Sequence, residues 1–309
     1  MKRKILVAVD DSFHSKCCIR YLVSMAGVLP SLNFTLVHVQ PSISQFLLDD
    51  AKRSMKAKVE LKKIQRRNRE AAEELLTGIQ TQMAKSGIDA GRIQTQTLAK
   101  NLGVAKDIIE LAQEGRYDAI AAGRRGLTGM QELFLGSLTA KLVEHSAVIP
   151  VWIIDGEVPN PRILLAVDGS ESAFRALDHV CFMIGDHPET RLTLFHVVPR
   201  LGDYCSIDFS QPDLEMESFI VEGDKRCLSD FYAHAMKTCH SAGIEKERIE
   251  VKESKRKVGV GKAIVEEARK GGYGTVVIGR RGSGRAFFMG SVSRYVLGKS
   301  SNRAVWLIP

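Results

Sequence analysis

An internal repeat constrains the fold of this 309-residue chain more than any other feature of its sequence. The segment Lys4–Asp10 returns as Arg162–Asp168, and Phe34–Val39 returns as Leu192–Val197, both at an offset of 158 residues. Later matches keep the same order, at offsets that fall to 156 and then to 154 residues. Ordered matches that are interrupted by two small deletions indicate two homologous copies of one structural unit.

We predict domains at residues 1–155 and 160–309, joined by a linker that contains Gly156, Pro159 and Pro161. In the first copy, β-branched runs alternate with segments of helical periodicity. The predicted strands lie near 4–9, 33–39, 92–98, 118–122 and 149–154, and the predicted helices near 13–27, 46–85, 104–114 and 137–146. The second of these helical segments is so long that we expect a break within it.

The alternation of strands and helices requires crossover connections, which produce a parallel sheet with helices on both faces. The first and fourth strands are continuous apolar runs, as expected for buried central strands. The predicted fold class is α/β, with two tandem Rossmann-like or flavodoxin-like domains. Each domain is expected to contain a five-stranded parallel sheet with helices on both faces.

Composition excludes several classes of protein. Hydrophobic residues make up 44% of the chain and charged residues 26%, which is typical of a globular protein. No apolar segment approaches the roughly 20 residues of a membrane span, and no export signal is evident. The six cysteines and eight histidines show no metal-binding spacing. We therefore expect a cytoplasmic protein with reduced cysteines, no membrane partner and no protein-ligated metal.

Positive charge is concentrated in one segment. Residues 52–69 hold nine basic residues and one acidic residue, Glu60, so their net charge equals the +8 of the whole chain. Two interpretations remain open, a solvated helix face and a docking surface for an acidic partner. Nucleic acid is disfavoured as a partner because no aromatic residue is interleaved for base stacking.

A glycine motif occurs near the end of each copy. Gly123, Gly126 and Gly136-Ser137 have the spacing G-x2-G-x9-G-[ST]. Glycines allow a backbone to approach a ligand closely, and exposed N–H groups form an anion-binding concavity. Gly136-Ser137 opens a predicted helix, whose unpaired N–H groups and dipole favour anions. Ser137 is expected either to cap that helix or to donate to a phosphate.

Ligands of such sheets bind beyond the carboxyl ends of the strands. If the first and fourth strands are neighbours, Asp10 and Gly123 meet there, as do Asp168 and Gly279 in the second copy. The carboxylate of Asp10 suits ribose hydroxyls, and Arg125 adds positive charge. The Walker A, G-x-G-x-x-G, nucleophile-elbow and HExxH motifs are not present at a suitable place.

These residues give the chain a recognisable likeness: it resembles a tandem member of the universal stress protein family, of the UspA type and of the branch that binds ATP. The resemblance is carried by Asp10 and Asp168, by His38-Val39 and His196-Val197, and by the glycine motifs. It implies an ATP-binding, nucleotide-dependent regulator of the stress response, with Mg²⁺ or Mn²⁺ carried on the phosphates.

The resemblance also implies the binding residues. In the first copy, the adenosine part would be lined by Ala8, Asp10 and Val39, and the phosphates by Gly123, Arg125, Gly126, Gly136, Ser137, Leu138 and Thr139. The second copy offers Ala166, Asp168, Val197, Gly279, Arg281, Gly282, Gly290, Ser291, Val292 and Ser293. The family further implies a dimer made partly through the last strand, which the two halves could form within one chain or a homodimer between chains.

The sequence departs from the family pattern in both copies. Only seven residues separate Gly282 from Gly290, so the second phosphate loop is short. In the first copy, Asp11 stands where the family has a glycine, which the second copy keeps as Gly169. We favour the first copy as an ATP site, because it keeps the spacing of the phosphate loop. The second copy is also expected to bind ATP, since its Asp168–Ser170 and Gly290–Ser293 are closer to the family pattern.

We expect no catalytic residue, because no histidine or glutamate recurs in both glycine motifs as a general base. His38 and His196 lie in apolar strands and are interpreted as satisfied core histidines. Two alternatives to a regulator remain: a slow ATPase, and a nucleotide-independent interaction module that uses the basic helix at residues 52–69.

Overall fold

Strands and helices alternate along the whole described chain. The computed structural model describes residues 2–125, 136–185, 187, 189–198, 214–255, 259–280 and 289–309. By its backbone contacts the chain divides into two units: the described residues of the first run to Val151, and the second extends from Trp152 to Pro309. Among the described residues, no helix has both the length and the apolar character needed to cross a bilayer.

The first unit contains a parallel sheet in the order β3–β2–β1–β4. Its elements are β1 (Arg3–Ala8), α1 (Phe13–Val28), β2 (Leu32–Val39), α2 (Gln45–Arg53), α3 (Met55–Lys85), β3 (Ile93–Leu98), α4 (Val104–Glu114), β4 (Ala119–Gly123) and α5 (Ser137–His145). The predicted strands and helices of this copy are confirmed to within about two residues at most boundaries.

The second unit repeats this pattern and includes most of β5. Its elements are β5 (Val151–Asp155), β6 (Ile163–Val167), α6 (Glu171–Ile184), β7 (Leu192–Val198), α7 (Leu214–Ser241), β8 (Ile249–Lys255), α8 (Val260–Lys270), β9 (Thr275–Gly279), α9 (Ser291–Lys299) and β10 (Arg303–Ile308). The strand order is β5–β10–β9–β6–β7–β8. The α/β class is confirmed, but the units divide the strands four and six rather than five and five, because β5 groups with β10.

The core of the first unit is built around β1 and its neighbour β4. Ile5, Leu6 and Val7 of β1 are fully buried, and β4 consists of buried alanine and isoleucine up to Gly123. Val7 is paired with Ala121 on one side and with Leu36 on the other. Because all three strands run in the same direction, their carboxyl ends reach one edge of the sheet together.

The expected break in the long helical segment falls at Ser54. Its backbone is extended, with φ −130° and ψ 126°, so α2 ends and α3 begins there. The Ser54 N–H donates to the Asp50 carbonyl, and its hydroxyl accepts from the Ala57 N–H at 3.3 Å. One serine therefore closes the first helix and caps the second.

Two tryptophans are stacked in the second unit. Trp152 and Trp306 are fully buried, with ring centroids 4.0 Å apart and planes within 2° of parallel. The Trp152 indole N–H donates to His179 Nε2 at 3.2 Å, and His179 meets both tryptophan rings edge-on. Burial of the imidazole lowers the pKa of His179 from 6.5 to about 3, which keeps it a neutral acceptor.

This depressed pKa makes folding stability depend on pH. Between pH 6.5 and 3 the unfolded chain protonates His179 and the folded chain does not, so stability is full above pH 6.5 and falls as the pH is lowered. Denaturant unfolding at pH 7.5, 6.5 and 5.5 should show a decline that is shallower in His179→Gln, which keeps an acceptor for the Trp152 N–H. The limit is about 1.4 kcal/mol per pH unit, and the slope lost should be smaller because the side chain retains some exposure. If the free energy of unfolding fell equally with pH in the two proteins, its pH dependence would not come from His179.

Candidate functional site

A cavity of about 730 Å³ opens at the carboxyl ends of the central strands of the first unit. This volume lies within the range of small-molecule binding sites. The lining comes from the ends of β1, β2 and β4, the loop before α4, and the start of α5: Ala8, Val9, Asp10, Ser15, Val37, His38, Val39, Lys100, Leu102, Gly103, Val104, Ala105, Lys106, Ile108, Ala122, Gly123, Arg125, Ser137, Leu138, Thr139, Lys141 and His145.

Most predicted site residues of the first copy lie on this cavity. Those that line it are Ala8, Asp10, Val39, Gly123, Arg125, Ser137, Leu138 and Thr139. Gly136 lies next to them, immediately before α5. Gly126 lies outside the described residues. The parallel pairing of β1 with β4 brings Asp10 and Gly123 to the same edge of the sheet, as the sequence predicted.

Asp10 is held in a turn that connects β1 to α1. Its Oδ1 accepts the Ser12 N–H at 3.1 Å, and its own N–H donates to the Ser15 hydroxyl at 3.2 Å. The Ser12 hydroxyl accepts the Ser15 N–H at 3.1 Å as the N-cap of α1 and donates to the Arg125 carbonyl at 3.3 Å. Ser12 therefore links the loop after β1 to the loop after β4.

Gly123 is required by packing as well as by access to a ligand. A Cβ on this residue would lie 2.5 Å from the carbonyl carbon of His14 and 2.9 Å from the Ser15 nitrogen. The end of β4 thus lies against the backbone of the first turn of α1, where only glycine fits. This contact fixes the position of the loop that follows β4.

The first turn of α5 faces the cavity with uncapped N–H groups. Its N-cap is Gly136, which has no side chain to accept them. Ser137 is the first helical residue, so of its two predicted roles capping is wrong. The Thr139 hydroxyl donates to the Gly123 carbonyl at 2.9 Å and ties this turn to β4. Unpaired N–H groups at a helix N-terminus attract anions.

The loop between β3 and α4 was missed by sequence reasoning. It supplies Lys100, Leu102 and Gly103 to the cavity. Its shape is set by the buried carboxylate of Asp107, which accepts the N–H groups of Asn101, Leu102 and Gly103 at 2.9, 2.8 and 3.4 Å. Gly103 has a φ of +140° and recurs as Gly259, and that repeated glycine was the available signal.

The charges on the cavity wall favour an anion. Lys100, Lys106, Lys141 and Arg125 line it, and Asp10 is the one carboxylate among its lining residues. Apolar lining residues come from the strand ends, which include Ala8, Val37 and Val39. The cavity is therefore suited to a ligand with an apolar ring and an anionic group.

His38 and His196 occupy equivalent positions, and each has a ring nitrogen close to a backbone carbonyl. His196 is buried, as predicted, whereas His38 is only half-buried. His38 Nδ1 lies 2.8 Å from the Val9 carbonyl oxygen, and His196 Nδ1 lies 2.9 Å from that of Val167. His38 also borders the cavity. In the second unit, His196 Nε2 contacts Asp224 Oδ2 at 2.9 Å.

The second unit keeps part of the same design. Asp168 Oδ1 accepts the Ser170 N–H at 3.1 Å, and the Ser293 hydroxyl donates to the Gly279 carbonyl at 2.8 Å. Gly290 is the N-cap of α9 and again provides no side-chain cap. The remaining described positions follow the repeat, with Ala166 on β6, Val197 on β7, and Ser291 and Val292 at the start of α9. Arg281 and Gly282 lie outside the described residues.

Helix α7 distinguishes the second unit from the first. Gly169 has a φ of +69°, and a Cβ on it would lie 2.5 Å from Cys227 Sγ. Together with the Asp224–His196 contact, this places α7 over the turn that follows β6. The equivalent residue in the first unit, Asp11, has an exposed side chain that pairs with Lys16 at 2.8 Å. The two copies therefore differ next to their strand-end aspartates.

The residues that the structure describes give no support for a metal ion bound by protein side chains. No group of three histidine, cysteine, aspartate or glutamate side chains there could hold a metal ion.

Comparison with known proteins agrees with this architecture. The model of the universal stress protein family matches the chain twice, over residues 1–155 and 159–309. The chain belongs to the universal stress protein family. Its two matched segments make it a tandem member, as the sequence motifs indicated. A search of the curated proteins found no match.

Solved structures show the same fold over the full chain. A universal stress protein from Archaeoglobus fulgidus has 21% sequence identity and a TM-score of 0.67, with 99% of this chain and 97% of that chain covered. A functionally unknown protein from Pseudomonas aeruginosa has 16% identity and a TM-score of 0.60, with 99% and 92% covered. At these identities the likeness shows the fold alone.

The packing of Gly123 is testable by its replacement with alanine. Gly123→Ala should lower the free energy of unfolding by about 1–3 kcal/mol, because the new methyl group displaces the backbone of α1. Gly78→Ala is the matched control: it lies in the exposed interior of α3 with nothing within 4 Å of a built Cβ, and should stabilise by roughly 0.5–1 kcal/mol. Chemical denaturation measures both. Equal effects of the two variants would show that Gly123 does not make this contact.

Proposed function

We propose that the cavity of the first unit binds ATP and that its occupancy makes this universal stress protein a nucleotide-dependent regulator of the stress response. The observation that carries the proposal is the placement of the uncapped α5 N-terminus and the Asp10 carboxylate on one cavity. A nucleotide needs both features, because it joins ribose hydroxyls to an anionic phosphate chain.

The residues of the cavity wall support a position for each part of the nucleotide. The adenosine would rest on the apolar strand ends at Ala8 and Val39, with the ribose hydroxyls donating to Asp10. The phosphates would accept from the N–H groups of Ser137 and Leu138 at the start of α5. Lys141, one turn further along the same helix, would add a charge-assisted contact.

The divalent cation fits as a part of the ligand. With no cluster of protein ligands in the described residues, Mg²⁺ or Mn²⁺ would arrive on the phosphates and neutralise part of their charge. The lysines and Arg125 would balance the rest. This explains how a cavity with a single carboxylate can accept a metal–nucleotide complex.

One observation that favours a regulator over an ATPase is the position of His145, a possible general base among the described lining residues. His145 lines the cavity, but it lies at the far end of α5 from Ser137. Eight residues of helix separate the two, a rise of about 12 Å. Phosphates held at the N-terminus of α5 would therefore be out of hydrogen-bonding reach of this imidazole.

The proposal concerns the first unit. In the second unit, Cys227 lies against Gly169, and Asp224 contacts Nε2 of His196. The surroundings of Asp168 therefore differ from those of Asp10 in the first unit. Binding there, and pairing of the two halves or of two chains through their last strands, remain predictions.

Paired charge substitutions at the helix starts test the site. Ser137→Asp places a carboxylate at the first residue of α5, where it stabilises the helix dipole but repels a phosphate. Calorimetric titration of nucleotide-stripped protein with Mg-ATP should show at least about tenfold weaker binding than in the natural chain. Ser291→Asp makes the same change at the start of α9 and should leave this affinity unchanged.

The outcomes separate the two units. Loss of affinity in Ser291→Asp alone would move the site to the second unit and contradict the proposal. Unchanged affinity in both variants, with unchanged unfolding curves, would show that ATP does not bind at either helix start. Absence of binding to the folded natural chain would favour the interaction-module alternative.

A further inference from the structure

Helix α2 and the first half of α3 form an exposed arm, defined here as residues 45–71. None of its side chains is buried, and the first buried residue of α3 is Ala72. From Ala72 onward α3 packs on β2 and β3 through residues that include Leu76 and Met83. The arm therefore contributes no side chain to the core of the first unit.

A groove of about 480 Å³ lies where the two helices of the arm meet. Its lining combines the apolar residues Leu48, Ala51, Met55 and Leu61 with the basic residues Lys52, Arg53 and Lys58 and with Ser54. Met55 is 78% exposed, and Phe46, on α2, is 74% exposed. Exposed apolar surface of this kind, next to polar residues, is a feature of interaction sites.

The arm is poorly stabilised by its own contacts. A nine-residue helix such as α2 is marginal in water without packing, and its main packing partner among the described elements is α3. A partner that covers the groove would bury Leu48, Met55 and Leu61 and remove this weakness. These features are typical of a binding surface that a partner molecule covers.

Charge restricts the identity of that partner. The segment 52–69 holds nine basic residues and one acidic residue, so a second copy of this arm would be repelled. Lys52 pairs with Asp49 and Lys63 with Glu60, at 2.9 and 2.7 Å. At the groove, Arg53 and Lys58 make no ion pair within the described residues. The partner should therefore be acidic.

The apolar lining residues of the groove further restrict the class of partner. A nucleic acid would use the cations but would leave Met55 and Leu61 in water. A bilayer presents a broad flat surface, whereas the groove takes its lining from α2, from Ser54 at the break and from the start of α3. A helix with one apolar face and acidic flanks meets both requirements, and helix-in-groove binding is a common recognition mode.

We propose that the arm groove binds an acidic amphipathic helical segment of another protein. Leucine-like side chains of the partner would enter between Leu48, Met55 and Leu61, and its carboxylates would pair with Arg53 and Lys58. This function is independent of the nucleotide cavity, since none of the groove residues lines that cavity.

The test uses the full-length protein and a synthetic 16-residue peptide labelled with a fluorophore. The peptide carries leucine at helical i, i+3, i+4 and i+7 spacing and glutamate on the flanks, and a scrambled peptide of equal composition is its control. Fluorescence anisotropy should show saturable binding of the amphipathic peptide and at least about tenfold weaker binding of the scrambled one.

Two matched pairs of variants locate the binding surface. Lys58→Glu, in the groove, should weaken binding about tenfold, whereas Lys63→Glu, which has the same charge change outside it, should change affinity less than about twofold. Met55→Gln should weaken binding similarly, whereas Ile64→Gln, on α3 but outside the groove, should not. Helix content by circular dichroism checks that each variant is folded.

Other outcomes overturn the proposal. Equal losses in Lys58→Glu and Lys63→Glu, or equal binding of the two peptides, would mean attraction by net charge without a groove. Sedimentation with phosphatidylserine vesicles but no binding of the peptide would mean a membrane surface instead. Binding of a duplex oligonucleotide that is insensitive to Met55→Gln, without binding of the peptide, would mean nucleic acid.

Discussion

The parallel pairing of β1 with both β2 and β4 is the interaction on which the candidate site depends. Ala8 lies beside Val37 on one side and Ala122 on the other, so three strands end at the same edge. The loops that follow them then share one space, which holds Asp10, Val39 and Arg125. The contact of Gly123 with the first turn of α1 and the bond from Thr139 to its carbonyl hold those loops in place.

Much of this arrangement could be predicted because it depends on periodicity and on repeated positions. Apolar runs identified the strands, and the repeat paired Asp10 with Asp168 and Gly123 with Gly279. The wall formed by Lys100 and Lys106 was missed, because a lysine after a strand has no signature until the Asp107 carboxylate shapes its loop. The start of α5 at Ser137 was predicted correctly, but its cap was not: Gly136 is the N-cap, so the Ser137 hydroxyl does not cap the helix.

The two copies share the same strands and strand-end hydrogen bonds but differ in the elements that surround them. The strand-end aspartate, the histidine bonded to the neighbouring strand, and the hydroxyl that holds the last helix recur in both. What differs is the long helix between the second and third strands of each copy. In the first copy it extends away as an arm, and in the second, α7 brings Asp224 and Cys227 against the strand ends. The two copies therefore repeat the pattern of strands but not the surface formed by the long helix.

Helix α3 has a mechanical consequence that follows from its continuity. It contains 31 residues, about 46 Å, without a break after Ser54. One end lies in solvent, and the other packs on β2 and β3; the end of β2 lines the candidate cavity. A continuous helix is stiff, so a force applied to its exposed end is transmitted to β2 and β3, on which its other end packs. Any free-energy coupling between the two ends would have to be equal in both directions.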